Sequence, residues 1–194
     1  MSENLLKKQK LNCSKKVIDV VQFGSSILVG TEPNDIDIAV IFQKIPLNEQ
    51  LEEAQKIKKQ LQEQTKLPVH IKSYDFYSFF DKGNFAKESI LLNGKSIITG
   101  KNFSENFSLI PKVQIYYSLS KLEKKDKVKF NYLLSGKGGD YGLLRKYKGK
   151  LLKPGLIEVN PEYETLFINS LKKITSDVEV RRVFISETIK FLEN

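Results

Sequence analysis

The sequence predicts an α+β fold in two parts: a first part in which short strands alternate with helices, and a basic C-terminal α+β extension. Three observations carry this. Two short runs rich in β-branched residues, 16–23 and 35–42, flank a polar turn. Residues 47–66 are built from helix formers, with Leu47, Leu51, Ala54, Ile57 and Leu61 at spacings of three and four. After Ile110 the composition turns basic. Residues 111–154 hold 12 Lys+Arg against 3 Asp+Glu, an excess equal to the net charge of +9 carried by all 194 residues. The domain boundary is therefore expected at 110/111.

In order along the chain, "KVIDVVQF" (16–23) reads as a strand entering a tight turn at Gly24, and "SSILVG" has room for one or two helical turns. "TEPND" supplies turn chemistry before the second strand, "DIDIAVIF" (35–42). The helix over 47–66 is followed by Pro68 and a third strand, "VHIKSYDF" (69–76), then a helix over about 85–92 and a short extended piece in "NGKSIITGKNF". In the second part, "KVQIYYSLSKLEKKDKVKFNYLLS" (112–135) reads as helical segments, and "GKGGDYG" (136–142) as a flexible turn, because it lacks the Lys-Ser/Thr ending of a P-loop. "KGKLLKPGLIEV" (148–159) reads as a hairpin turning at Pro154-Gly155, and 161–174 and 177–192 as two amphipathic helices.

Composition excludes several function classes. With Cys13 the only cysteine and His70 the only histidine, one chain can assemble neither a disulfide framework nor a Cys/His zinc site. No segment approaches the roughly 20 apolar residues of a membrane helix, and the first residues lack the apolar core of a signal peptide, so a cytoplasmic setting without membrane contact is expected. The basic block attracts phosphate-bearing partners, or is a solvated lysine-rich face.

The stretch 24–40, "GSSILVGTEPNDIDIAV", is where chemistry concentrates. On a strand, residues two apart point the same way, so Asp35 and Asp37 project from one face with Cα atoms about 7 Å apart. Their repulsion is costly unless a cation sits between them, and hard oxygen ligands select Mg²⁺ or Mn²⁺, which bring nucleotide phosphates. Gly24 allows a sharp turn and close backbone approach, and Ser25 and Ser26 can hold phosphate oxygens. The alternative is two aspartates serving only as turn and cap groups.

Gly24-Ser25, nine intervening residues and Asp35-Ile36-Asp37 among apolar neighbours resemble the signature of the DNA polymerase beta superfamily of nucleotidyltransferases, and within it the minimal nucleotidyltransferases of archaea and bacteria. The resemblance runs over about 16–103, including "ESILLNGKSIITG". It implies a mixed sheet flanked by helices, Asp35 and Asp37 as ligands of Mg²⁺ or Mn²⁺, and Gly24, Ser25 and Ser26 as nucleotide contacts. It further implies transfer of a nucleoside monophosphate from an NTP, with ATP the first to expect, onto an acceptor hydroxyl of an RNA, a protein or a small molecule, with release of pyrophosphate. Members of the subgroup are often paired with a helical partner protein in toxin–antitoxin modules, and some transfer AMP to that partner.

The family's third metal carboxylate, on a later strand, has no match. The position holds His70 within Val69-His70-Ile71, and the nearest carboxylate, Asp75, falls on the opposite face of a regular strand. His70 is then a base, a ligand better suited to Mn²⁺ than to Mg²⁺, or a structural surface residue. Three readings follow: an active enzyme with an altered site, an enzyme whose third carboxylate comes from elsewhere, and a nucleotide- or RNA-binding module that retains the fold without turnover. In 111–154, Tyr116, Tyr117, Phe130, Tyr132, Tyr141 and Tyr147 are interleaved with the basic residues. They either fill a core or, with the lysines, hold an RNA or protein acceptor.

Overall fold

The computed structural model describes residues 6, 8, 10–138 and 141–186. The chain divides into two compact units, Met1–Phe107 and Ser108–Asn194. No helix among the described residues is long and apolar enough to cross a membrane.

The first unit is a mixed four-stranded sheet. Strands β1 (Val17–Phe23) and β2 (Ile36–Phe42) pair antiparallel, β3 (Val69–Asp75) runs parallel to β2, and the two-residue β4 (Lys95–Ser96) pairs antiparallel with β1, giving the order β3-β2-β1-β4. The crossover from β2 to β3 is helix α1 (Leu47–Gln62). It ends four residues short of the predicted helix, because the Gln62 side chain closes the turn that follows: its Oε1 accepts from Val69 N–H and its Nε2 donates to Thr65 O and Leu67 O.

Both faces of the sheet are covered, which is why β1 and β2 read as nearly continuous apolar runs. Val20, Ile36, Ile38, Val40 and Phe42 pack with Ile57 and Leu61 of α1. On the other face Val21, Phe23, Ala39 and Ile41 pack with Phe79 of α2 (Phe76–Phe80), Ile90 of α3 (Lys87–Asn93) and Phe103. The apolar stripe of α1 is narrower than its sequence spacing implies. Gln50, Ala54, Ile57 and Leu61 are buried, whereas Leu47 and Leu51 are exposed. A buried carboxylate, Asp19, ties this sheet together: it accepts from Val20 N–H at 2.8 Å, Ser96 Oγ at 2.6 Å and Asn106 Nδ2 at 3.4 Å.

The second unit has an antiparallel sheet of order β6-β7-β5-β8, from β5 (Leu109–Tyr117), β6 (Lys150–Lys153), β7 (Leu156–Val159) and β8 (Val178–Ser186). Helices α4 (Lys124–Ser135) and the short α5 (Leu143–Lys146) lie between β5 and β6, and α6 (Glu164–Lys172) lies between β7 and β8. This β-α-β-β-α-β sequence is the split β-α-β arrangement. Its core joins Val113, Ile115, Ile157 and Val159 to Phe130, Leu134, Phe167 and Leu171.

Two expectations are corrected here. The start of the segment predicted as helical, 112–117, is strand β5, and most of the second predicted C-terminal helix is strand β8, which pairs with β5 over its whole length. Residues 187–192 of that helix, and residues 139–140 of the glycine-rich turn, lie outside the described residues. The Pro154-Gly155 hairpin forms as expected between β6 and β7, with Gly155 at φ 83°.

Candidate functional site

One end of the first sheet gathers the residues singled out by the sequence. There β1 finishes while β2 and β3 begin, so Phe23 pairs with Asp37 and Asp37 with His70 across adjacent strands. Asp35 sits just before β2, where Ile36 N–H donates to Pro68 O at 2.8 Å and docks the strand against the start of β3. A ligand atom from each of Asp35, Asp37 and His70 lies within 4.8 Å of the other two. His70 Nδ1 is 3.2 Å from Asp35 Oδ2.

Electrostatically the two carboxylates share this corner with the Lys72 cation. Burial pushes the Asp37 carboxyl up from its ordinary value and the Asp35 charge adds to the effect; Lys72 and His70 pull against it. Lys72 comes from the same face of β3 as His70, and its ammonium stands 5.9 Å from the Phe23 ring centre. The sequence alternation of β3 was the available signal for Lys72 as a neighbour of Asp37.

Gly24 is placed by backbone and by space. It has φ 77°, and a Cβ built on it would lie 2.6 Å from Asp37 Oδ2. It opens a single 3₁₀ turn, Gly24–Ile27. Within that turn the two serines part company. Ser25 is exposed, and its carbonyl accepts from Thr31 Oγ1 at 2.7 Å and from Leu28 N–H at 3.1 Å. Ser26 is 1% exposed; its hydroxyl accepts from Gln22 Nε2 at 2.9 Å and donates to Phe23 O at 3.3 Å. Its side chain thus braces the turn from inside. Gln22, a buried polar residue in an apolar strand, was not singled out in the sequence.

Asp75 is not part of this group. It stands at the far end of β3 as the N-cap of α2, accepting from Ser78 N–H at 2.7 Å, and that hydrogen bond holds its carboxyl below its ordinary value. Among the described residues, the carboxylates that meet at the head of the sheet are Asp35 and Asp37, with His70 as the third member.

In the second unit the interleaved aromatics divide. The Tyr117 and Phe130 rings meet at 4.7 Å, and Tyr147 packs on Tyr163 and Phe167, so Tyr117, Phe130 and Tyr147 belong to the core. Tyr132 and Tyr141 are 44% and 62% exposed, and each carries a cation: Lys137 Nζ lies 5.1 Å from the Tyr132 ring centre and the Arg145 guanidinium 4.2 Å from that of Tyr141. Lys125, Lys129 and Tyr132 follow one another at i, i+4 and i+7 on one face of α4. Tyr116, on β5, is covered by the Arg181 guanidinium at 4.8 Å.

No protein-family model matches the chain, and no curated protein matches it in sequence.

Proposed function

We propose that the first unit is a metal-dependent nucleotidyltransferase, which transfers a nucleoside monophosphate from an NTP, ATP first among them, to an acceptor hydroxyl and releases pyrophosphate. The single observation that carries this reading is the meeting of the Asp35–Asp37 pair with the Gly24 turn, where the absence of a side chain on Gly24 leaves open the space beside Asp37 Oδ2.

The residues fit a divalent cation: two carboxylate oxygens and an imidazole nitrogen converge, and the burial and mutual repulsion that disfavour an ionised Asp37 are relieved by a dication. A cation held and oriented there by Asp35 and Asp37 would supply positive charge against the negative charge that develops when an α-phosphate is attacked. Gly24 lets the backbone approach the triphosphate closely, and the exposed Ser25 offers a hydroxyl to a phosphate oxygen. Ser26 acts at one remove, through the shape of the turn.

The acceptor in this reading is an RNA held by the second unit. Support comes from the outward-facing pairs Tyr132–Lys137 and Tyr141–Arg145, which combine a stacking surface with a phosphate-directed charge. A protein acceptor would use the same basic surface through its acidic groups.

A second reading, a nucleotide- or RNA-binding module without turnover, is favoured by one observation: His70, and no third carboxylate, completes the cluster among the described residues. Pyrophosphate release separates the two. With each of the four NTPs, Mg²⁺ or Mn²⁺, and RNA or protein acceptors, release that vanishes in Asp35→Ala/Asp37→Ala is expected. Binding of nucleotide with no release from the wild type under any combination would replace the transferase by the silent module.

A further inference from the structure

We infer that this site is set for a first-row transition cation, from Mn²⁺ to Zn²⁺, in preference to Mg²⁺, and that His70 is the residue that sets the choice. The inference rests on the reading of Asp35 and Asp37 as a metal site and goes beyond it, to which metal the site takes.

The geometry supplies the first argument. Two donors each about 2.1 Å from one ion and at right angles to each other are separated by about 3.0 Å. His70 Nδ1 and Asp35 Oδ2 are 3.2 Å apart, the spacing of neighbouring ligands on a shared ion. Asp37 is the register partner of His70 on the adjacent strand, so the third donor comes from the backbone pairing itself. Two strands and the residue leading into β2 therefore fix all three, which is the rigid support a metal site needs.

The chemistry supplies the second. Mg²⁺ demands hard oxygen ligands, sheds water reluctantly, and gains most from added negative charge. A neutral imidazole brings no charge and a softer nitrogen, which suits the borderline cations of the first transition row, whose affinity for such sites rises from Mn²⁺ to Cu²⁺ and falls again at Zn²⁺. Two ionised carboxylates and one neutral imidazole are three donors of total charge −2, with Lys72 the neighbouring cation.

A surface hydrogen bond from His70 Nδ1–H to Asp35 would give the same distance with no metal. The two differ in what they leave on a bound ion. The test uses Mn²⁺ and the full chain, as wild type, His70→Asp, His70→Ala and Asp37→Asn; the His70 side chain is 59% exposed, so neither substitution of His70 removes core packing. Pulsed electron paramagnetic resonance reads ¹⁴N coupling from imidazole to Mn²⁺, and titration with Mg²⁺ reads the concentration that displaces half of it.

The expected result is ¹⁴N coupling in the wild type that is lost in both His70 variants, together with a Mg²⁺ displacement concentration about tenfold or more lower in His70→Asp than in wild type. Mn²⁺ that binds in a manner dependent on Asp37 but shows no ¹⁴N coupling, or is displaced equally in wild type and His70→Asp, would overturn the role of His70 while leaving the carboxylate pair as a metal site. Absence of bound Mn²⁺ in the wild type would overturn both.

Discussion

Gly24, the residue that follows β1, stands beside Asp37 of β2 so closely that a Cβ on residue 24 would lie 2.6 Å from Asp37 Oδ2. The glycine is thus needed twice, for its φ of 77° and for the room it leaves. Gly24→Ala is expected to cost about 1–2 kcal/mol in stability from the left-handed backbone alone. It is also expected to weaken metal-dependent nucleotide binding by about tenfold or more, because the carboxylate must move. Denaturant unfolding and nucleotide titration on the same variant check both; a loss of stability with unchanged binding would detach Gly24 from the site.

The adjacent serines give opposite outcomes. Ser25→Ala is expected to lower nucleotide affinity with little change in stability, since its side chain is exposed. Ser26→Ala removes a buried hydroxyl bonded to Gln22 and Phe23 and is expected to cost about 1–3 kcal/mol. Melting curves and nucleotide titrations of the two variants would contradict this if the effects were reversed.

Two carboxylates should leave opposite marks on the pH dependence of stability. Burial holds Asp19 above its ordinary value against the hydrogen bonds from Ser96, Val20 and Asn106, so its contribution is fully present below the unfolded pKa of about 3.9 and is lost as pH rises through the higher folded value. Asp75 is held low by Ser78 N–H, so its contribution is present above about 3.9 and is lost as pH falls through the lower folded value. Urea unfolding between pH 7 and pH 3 is expected to show wild type gaining on Asp19→Asn as pH falls toward 4, and losing its advantage of about 1 kcal/mol over Asp75→Ala below that. Parallel profiles for the three proteins would contradict both assignments.

On the second unit, Tyr132→Ala and Tyr141→Ala are each expected to weaken binding of a single-stranded RNA oligonucleotide by about 1–3 kcal/mol. Lys125→Glu/Lys129→Glu should flatten the salt dependence, reducing the slope of log affinity against log salt by about 1.4. An effect of the lysines without one of the tyrosines would mark a purely electrostatic surface; no change in any variant would remove this face from RNA binding.

How far the sequence reached can be followed residue by residue. The first unit was legible because its signals are local: β-branched runs, a turn between them, and a helix with clear spacing. The Asp35–Asp37 pair and Gly24 were legible for the same reason. Which serine faces solvent was not, because Gln22 decides it from within a strand. The second unit misled where two periods compete. Val113, Ile115 and Tyr117 alternate inward, but after six intervening residues the lysine-rich α4 begins, and its helical character spread backwards over β5 in the sequence reading. In β8 the Val-Glu-Val alternation breaks at Arg181-Arg182, and only pairing along β5, a contact remote in sequence, makes it a strand.

The most direct test of the account is nucleotide affinity measured with and without divalent cation, for the wild type and for Asp35→Asn/Asp37→Asn. The account predicts binding in the wild type that requires Mg²⁺ or Mn²⁺ and that the double variant loses while remaining folded. Nucleotide binding of equal strength with and without cation, or equal in the two proteins, would contradict it.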